Sequence, residues 1–230
     1  MSDVTVDVVD DAARACAERL AAQARAGGSI VLTGGSTPKH AYEIAAELEP
    51  DWSRVDVWWG DERQVPPDDE RSNYRMARTT FLDAVAIPAA NVHRMRGEAD
   101  PAAAAREYAD LLSAELGNSP CLDLVLLGLG PDGHTASLFP GSSPETDSDA
   151  LVRAVYAESQ AMWRITITPK VINAARTVAF AVEGEEKATI LAAILEGPYD
   201  PVVHPAQIVA PSPGRLLWLA DRAASSVVSS

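Results

Sequence analysis

Short apolar runs, each followed at once by turn formers and then by a helical stretch, constrain this chain more than any other feature. "SIVLT" leads into "GGSTPK", "RVDVWW" into "GDERQVPPDDERSNY", and "LDLVLL" into "GLGPDGHTASLFPG". A run that is apolar at nearly every position reads as a strand buried on both faces, because a half-buried strand alternates. Helices between such strands cover the faces and return the chain for a parallel neighbour. The expected fold is therefore α/β, a largely parallel sheet with helices on both faces. The chain has 230 residues and is 47% hydrophobic, enough for one substantial core. It carries no internal repeat or low-complexity linker, so residues 1–230 are expected to form one domain.

The remaining elements follow the same alternation. "DVTVDVV" is a first strand, and "DDAARACAERLAAQARA" a helix ended by Gly27 and Gly28. Pro38 takes a favoured first helical position in "PKHAYEIAAELEP". A helix is expected from about Ser72 to Val85, with "NVHRM" a short strand or turn. Another helix, "PAAAAREYADLLSAEL", stops at Gly117. Further on, "LVRAVYA", "RITIT", "TVAFAVE", "QIVA" and "RLLWLAD" read as strands. "PKVINAA" and "EEKATILAAILE" read as helices, with a last helix after Asp221 and a polar surface loop at "SSPETDSDA".

Parallel sheets of this type bind ligands outside the carboxyl ends of their strands. Three notable stretches fall there: "TGGSTPK", "GDERQV" and "GPDGHTASLFPG". In the first, Gly34 and Gly35 permit a tight turn and a close approach to a ligand. Ser36 and Thr37 supply hydroxyls, one of them expected to cap the following helix. Free N–H groups at that helix start make an anion site; an ordinary capped turn is the alternative. The spacing fits neither a Walker A loop nor a nucleophile elbow.

In the last loop Gly128, Gly130 and Gly133 match G-x-G-x-x-G. A dinucleotide site requires the third glycine to enter a long helix, and Pro140, Gly141 and Pro144 forbid one here. The glycines read better as a sharp turn that holds His134 at a strand end. Histidine is the natural general base near neutral pH, and a hydrogen-bonded loop histidine is the alternative reading of His134. Asp132 either orients its ring or lies on the surface. His40, His93 and His204 have weaker settings, and no second His or Cys stands near His134 at ligand spacing, so no metal site is expected. In "GDER", Asp61 or Glu62 is a candidate for proton handling and Arg63 for pairing with an anion. A solvated loop is the competing reading. Arg164 and Lys187 are further candidates for an anion site, with a surface cation as the alternative for each.

A formal net charge of −14 makes nucleic acid and anionic membranes poor partners for the surface as a whole. A small anion would need cations gathered locally, and the chain has only three lysines, Lys39, Lys170 and Lys187. Cys16 and Cys121 form no framework and suit a reducing compartment. With no signal-like N-terminus and no long apolar run, a cytoplasmic protein is expected.

Five stretches together carry a resemblance: "LTGGSTPKHAYE", "VDVWWGDERQVPPDDERSNYRMA", "LDLVLLGLGPDGHTASLFPG", "RITITPKVINAA" and "VAFAVEGEEKATIL". In this combination and order the chain resembles the 6-phosphogluconolactonase family, which is similar in fold to the glucosamine-6-phosphate deaminases and shares their Rossmann-like sheet. The resemblance implies hydrolysis of 6-phospho-D-glucono-1,5-lactone to 6-phospho-D-gluconate in the oxidative pentose phosphate pathway. It implies no metal or organic cofactor. It makes His134 the base that activates water, and sets Arg63 near the lactone or its phosphate. Arg164 and Lys187 would hold the phosphate, beside a loop from Gly34 to Thr37. The chain departs from many relatives just before Arg164, where "AESQAMW" replaces a stretch containing prolines.

Two other readings stay open. An amino-sugar-phosphate deaminase or isomerase on the same fold would need an acid partner after the histidine loop, where this chain reads "SLFPG". A non-catalytic sugar-phosphate sensor would usually carry a DNA-binding segment, which is not expected of a stretch that opens on its first strand and is acidic throughout. A small-molecule ligand and a monomer or weak homo-oligomer are expected in each case.

Overall fold

The structure is a computed structural model and describes residues 3–141 and 149–228. The elements run β1 (Asp3–Val9), α1 (Ala12–Ala26), β2 (Gly28–Leu32), α2 (Ser36–Leu48), β3 (Val55–Trp59), β4 (Asp61–Arg63), α3 (Asn73–Thr80) and α4 (Pro101–Leu116). They continue with β5 (Leu124–Gly128), β6 (Val152–Ala157), β7 (Met162–Ile167), α5 (Pro169–Asn173), β8 (Thr177–Val182), α6 (Ala188–Glu196) and β9 (Arg215–Asp221). Local chemistry accounts for many of the bounds. The Asp11 carboxylate accepts from Arg14 N at 2.7 Å and starts α1, and Asp100 caps α4 in the same way ahead of Pro101.

Six strands form one parallel sheet in the order β1-β9-β8-β5-β2-β3. The steps β1 to β2 and β2 to β3 run one way across this sheet. The steps β3 to β5, β5 to β8 and β8 to β9 run the other way. Right-handed crossovers then put α1 and α2 on one face and α4, α5 and α6 on the opposite one. α1 and α2 pack against each other, and Leu20, Tyr42, Leu112, Ile172 and Leu191 are all buried in the core. The direction reverses between the neighbours β2 and β5. Their outgoing chains leave for opposite faces, which opens a crevice at their carboxyl ends.

Beside it stands a three-stranded antiparallel sheet, β4-β7-β6. "LVRAVYA" and "RITIT" thus pair with each other rather than in the main sheet. Asp61–Arg63, expected within a loop, is a short strand: Ile167 N donates to Gly60 O and Gln64 N to Trp163 O, both at 2.9 Å. Strand alternation sends Asp61 and Arg63 to one side and Glu62 to the other.

Four other expectations change. "QIVA" is no strand. Its region is a 3₁₀ turn, Pro205–Ile208, set among prolines. The Asn173 side chain satisfies the backbone there, donating to Ile208 O and accepting from Ala210 N. Asp221 is followed by turns rather than a helix, because its carboxylate accepts from Gly184 N and Ala224 N and bends the chain. The helix expected to reach Val85 ends at Thr80. There the Thr79 and Thr80 hydroxyls donate to carbonyls of the previous turn, and Phe81 turns inward against Trp52. Finally, neither Ser36 nor Thr37 caps α2, since Gly35 at φ 115° turns the chain straight into the helix and both hydroxyls fall in its first turn. Most of the "SSPETDSDA" loop, residues 142–148, lies outside the described residues. Among the described residues no helix is long and apolar enough to cross a membrane.

Candidate active site

The crevice between β2 and β5 is a cleft of about 290 Å³. Gly34, Gly35, Ser36, Thr37, Asp61, Arg63, His134, Arg164 and Lys187 all line it. Residues spread over more than 150 positions of sequence therefore converge on one space. The β2 loop supplies the start of α2, whose first turn has no side-chain cap. Such N–H groups and the helix dipole favour an anion. β4 and β7 supply the arginines, and the turn after β8 supplies Lys187.

The β5 loop presents His134. Gly130 N donates to His134 O at 2.8 Å, and Gly133 turns at φ 83°. The ring Nδ1 lies 2.5 Å from Asp132 Oδ1, and the His134 backbone N–H donates to the same oxygen. Burial pushes the Asp132 carboxyl up, but its hydrogen bonds and charge attraction to His134 outweigh this and leave it below the usual range. An ionised carboxylate only accepts, so the proton of a neutral ring sits on Nδ1 and Nε2 carries the free lone pair. Asp132 itself is not part of the cleft wall. Phe139 packs on the ring with centroids 5.0 Å apart. Gly130 is required by space, because a Cβ there would overlap the imidazole. Gly130→Ala is expected to displace the ring and lower turnover by about 10²-fold, toward the loss of a general base, with little change in Tm. Steady-state rates beside a melting curve would check this.

Asp61 does not contact His134 by hydrogen bond. Its carboxylate accepts from Ser137 Oγ at 2.6 Å and Asn73 Nδ2 at 2.9 Å, with Arg164 Nη1 at 3.6 Å. Arg63 and Arg164 stand directly opposite each other across β4 and β7. Like charges in that position repel unless an anion lies between or beside them. Burial presses the Arg164 guanidinium below its ordinary pKa; Asp61 opposes this shift and Arg63 adds to it. The Nε groups of both arginines are buried without a protein partner among the described residues. Two arginines, a lysine and an open helix start can hold a dianion despite the net charge of −14.

Glu62 points away from the cleft and builds its wall. Oε1 accepts from Arg63 N and Asn73 N, and Oε2 from Ser72 Oγ and Tyr74 N, at 2.8–2.9 Å. Burial pushes the Glu62 carboxyl up, against the pull of these four donors. Glu62→Gln would aim an NH2 at donors that need an oxygen. It should cost about 1–3 kcal/mol, lowering Tm by roughly 2–4 °C for each kcal/mol, as calorimetry would read.

Asn73, Ser137, Gln160 and Phe139 were not singled out from sequence. Gln160 lines the cleft from the turn ahead of Arg164 and accepts from Arg164 Nη2. It lies in the stretch "AESQAMW" just ahead of Arg164. Asn73 sits in the quoted "ERSNY", but a buried amide has no sequence signature of its own.

The fold and cleft define an open parallel α/β protein with a small, cation-lined site beside a histidine–carboxylate pair. The chain belongs to the family described as glucosamine-6-phosphate isomerases/6-phosphogluconolactonase, whose model matches residues 3–218. A 6-phosphogluconolactonase of Synechocystis sp. is 44% identical over 205 residues, covering 87% of this chain and 84% of that one. The structure of a 6-phosphogluconolactonase from Trypanosoma cruzi superposes with a TM-score of 0.86 at 28% identity, covering 100% of this chain and 99% of that one. A monomeric glucosamine-6-phosphate deaminase, at 20% identity and a TM-score of 0.84 over 98% and 99% of the two chains, shares the fold.

Proposed function

We propose that this chain is a 6-phosphogluconolactonase, hydrolysing 6-phospho-D-glucono-1,5-lactone to 6-phospho-D-gluconate. The observation that carries the reading is a single cleft holding His134, tied to Asp132, together with Arg63, Arg164 and Lys187. A lactone is an activated ester and needs no protein nucleophile. Among the described residues no serine or cysteine is hydrogen-bonded to His134.

His134 Nε2 takes a proton from water as its oxygen bonds to C1. The carbonyl electrons move to the carbonyl oxygen, where a cation of the cleft stabilises the oxyanion. Arg63 is our assignment for that cation. The tetrahedral intermediate collapses, the bond from C1 to the ring oxygen breaks, and the ring oxygen takes the proton back from His134. The acid so formed ionises to 6-phosphogluconate. Arg164, Lys187 and the first turn of α2, with Gly34 to Thr37, hold the phosphate and so position C1. We read Asp132 as the group that orients His134, and Asp61 as the partner that holds Arg164. The enzyme is taken to work as one cytoplasmic domain, a monomer or weak homo-oligomer, without nucleic acid or membrane partners.

The test is lactone disappearance, corrected for spontaneous hydrolysis, beside ammonia release from glucosamine 6-phosphate. Saturable lactone hydrolysis without ammonia supports the reading. Ammonia release with the lactone untouched would assign the cleft to amino-sugar chemistry.

A further inference from the structure

We propose that Asn73 is a positioning residue that holds the Arg63 guanidinium in its working direction by anchoring it to Asp61. The inference builds on the role given to Arg63 above. Asn73 opens α3 and is only 1% exposed. Its Oδ1 accepts from Arg63 Nη1. Its Nδ2 donates to the Asp61 carbonyl at 2.8 Å and to Asp61 Oδ1 at 2.9 Å. Its backbone N–H donates to Glu62 Oε1.

An amide has two unlike ends, and here each end meets the charge it suits: the oxygen a cation, the NH2 a carboxylate. One orientation satisfies both partners. Aspartate would set a second carboxylate against Asp61, and leucine would leave both contacts unmade. The amide is also enclosed from the β2 loop, where a Cβ on Gly34 would overlap Asn73 Oδ1.

Arg63 needs such an anchor. It stands opposite Arg164, which repels it, and its long side chain has many rotamers to lose. Without Asn73 the Nη1 group keeps one protein contact, the Arg71 carbonyl at 2.7 Å. The amide therefore fixes the arginine before substrate arrives, which lowers the cost of ordering it in the transition state.

A double-mutant cycle separates this from general support of the fold. Rates on the phosphorylated lactone and calorimetric affinity for 6-phosphogluconate would be measured for wild type, Asn73→Ala, Arg63→Ala and the double variant, with Tm for each. Losing one oriented donor costs on the order of 10²-fold, so Arg63→Ala is expected to lose about that in kcat/KM, and Asn73→Ala about tenfold. In the Arg63→Ala background the Asn73 change should cost less than about threefold. The same tenfold loss in both backgrounds would overturn the proposal. If Asn73→Ala does not fold, Asn73→Ser keeps a small polar group there and enters the same cycle. A wild-type chain inert toward the lactone counts against the lactonase reading instead. The coupling is then scored in 6-phosphogluconate affinity, where additive losses would again overturn the role of Asn73.

Discussion

Replacing His134 with alanine is expected to lower kcat by about 10²–10⁴-fold, with KM for the phosphorylated lactone changed by less than about threefold. The prediction follows from the division of labour in the cleft. His134 lines the cleft from the loop after β5, while the anion-binding groups lie on the loop after β2, on β4 and β7, and in the turn after β8. Removing the ring deletes the proton acceptor and leaves the phosphate contacts in place. The reaction that survives is water attack on a positioned ester, helped by the oxyanion contact. His134→Gln is the better control for shape, because it fills much of the same space without a base of useful strength. Full turnover in either variant would remove His134 from the chemistry.

The Lys187→Ala variant should show the opposite split. A charge-assisted hydrogen bond to a phosphate contributes about 1.5–3 kcal/mol, so KM should rise roughly 10- to 100-fold. Some kcat is also expected to go, because remote binding energy positions C1. Unphosphorylated gluconolactone offers the discriminating measurement, since its slow hydrolysis should be nearly insensitive to Lys187. Lys187 lines the cleft at the start of α6, where Gly184 turns at φ 98° and lets the chain double back. An unchanged KM would place the phosphate elsewhere in the cleft.

The parts legible in the sequence were those written in contiguous patterns. Apolar runs marked the core strands, and their exits marked the stretches that bear Gly34, Arg63 and His134. The prolines after His134 ruled out the long helix of a dinucleotide site, although the glycine spacing fits that motif. What stayed hidden depends on contacts between distant segments. Asp61–Arg63 looks like a charged loop until β7 pairs with it, and only that pairing sets Arg63 opposite Arg164. Asn73 gains its meaning from two groups on β4 and from the bare backbone of Gly34. "QIVA" has strand-like composition, but a side chain from α5 satisfies its backbone first. The resemblance in the quoted motifs added a substrate, which neither the glycine loop nor the charge pattern specifies alone.

The central claim is an orientation: C1 of the sugar acid at His134 and the phosphate at the start of α2 with Lys187 and Arg164. A crystal structure with 6-phosphogluconate bound tests it most directly. The expected result sets a C1 carboxylate oxygen within about 3 Å of His134 Nε2, with the phosphate oxygens on the Ser36 and Thr37 N–H groups and the Lys187 ammonium. A product bound the other way round, with phosphate against His134 and the carboxylate at α2, would contradict it.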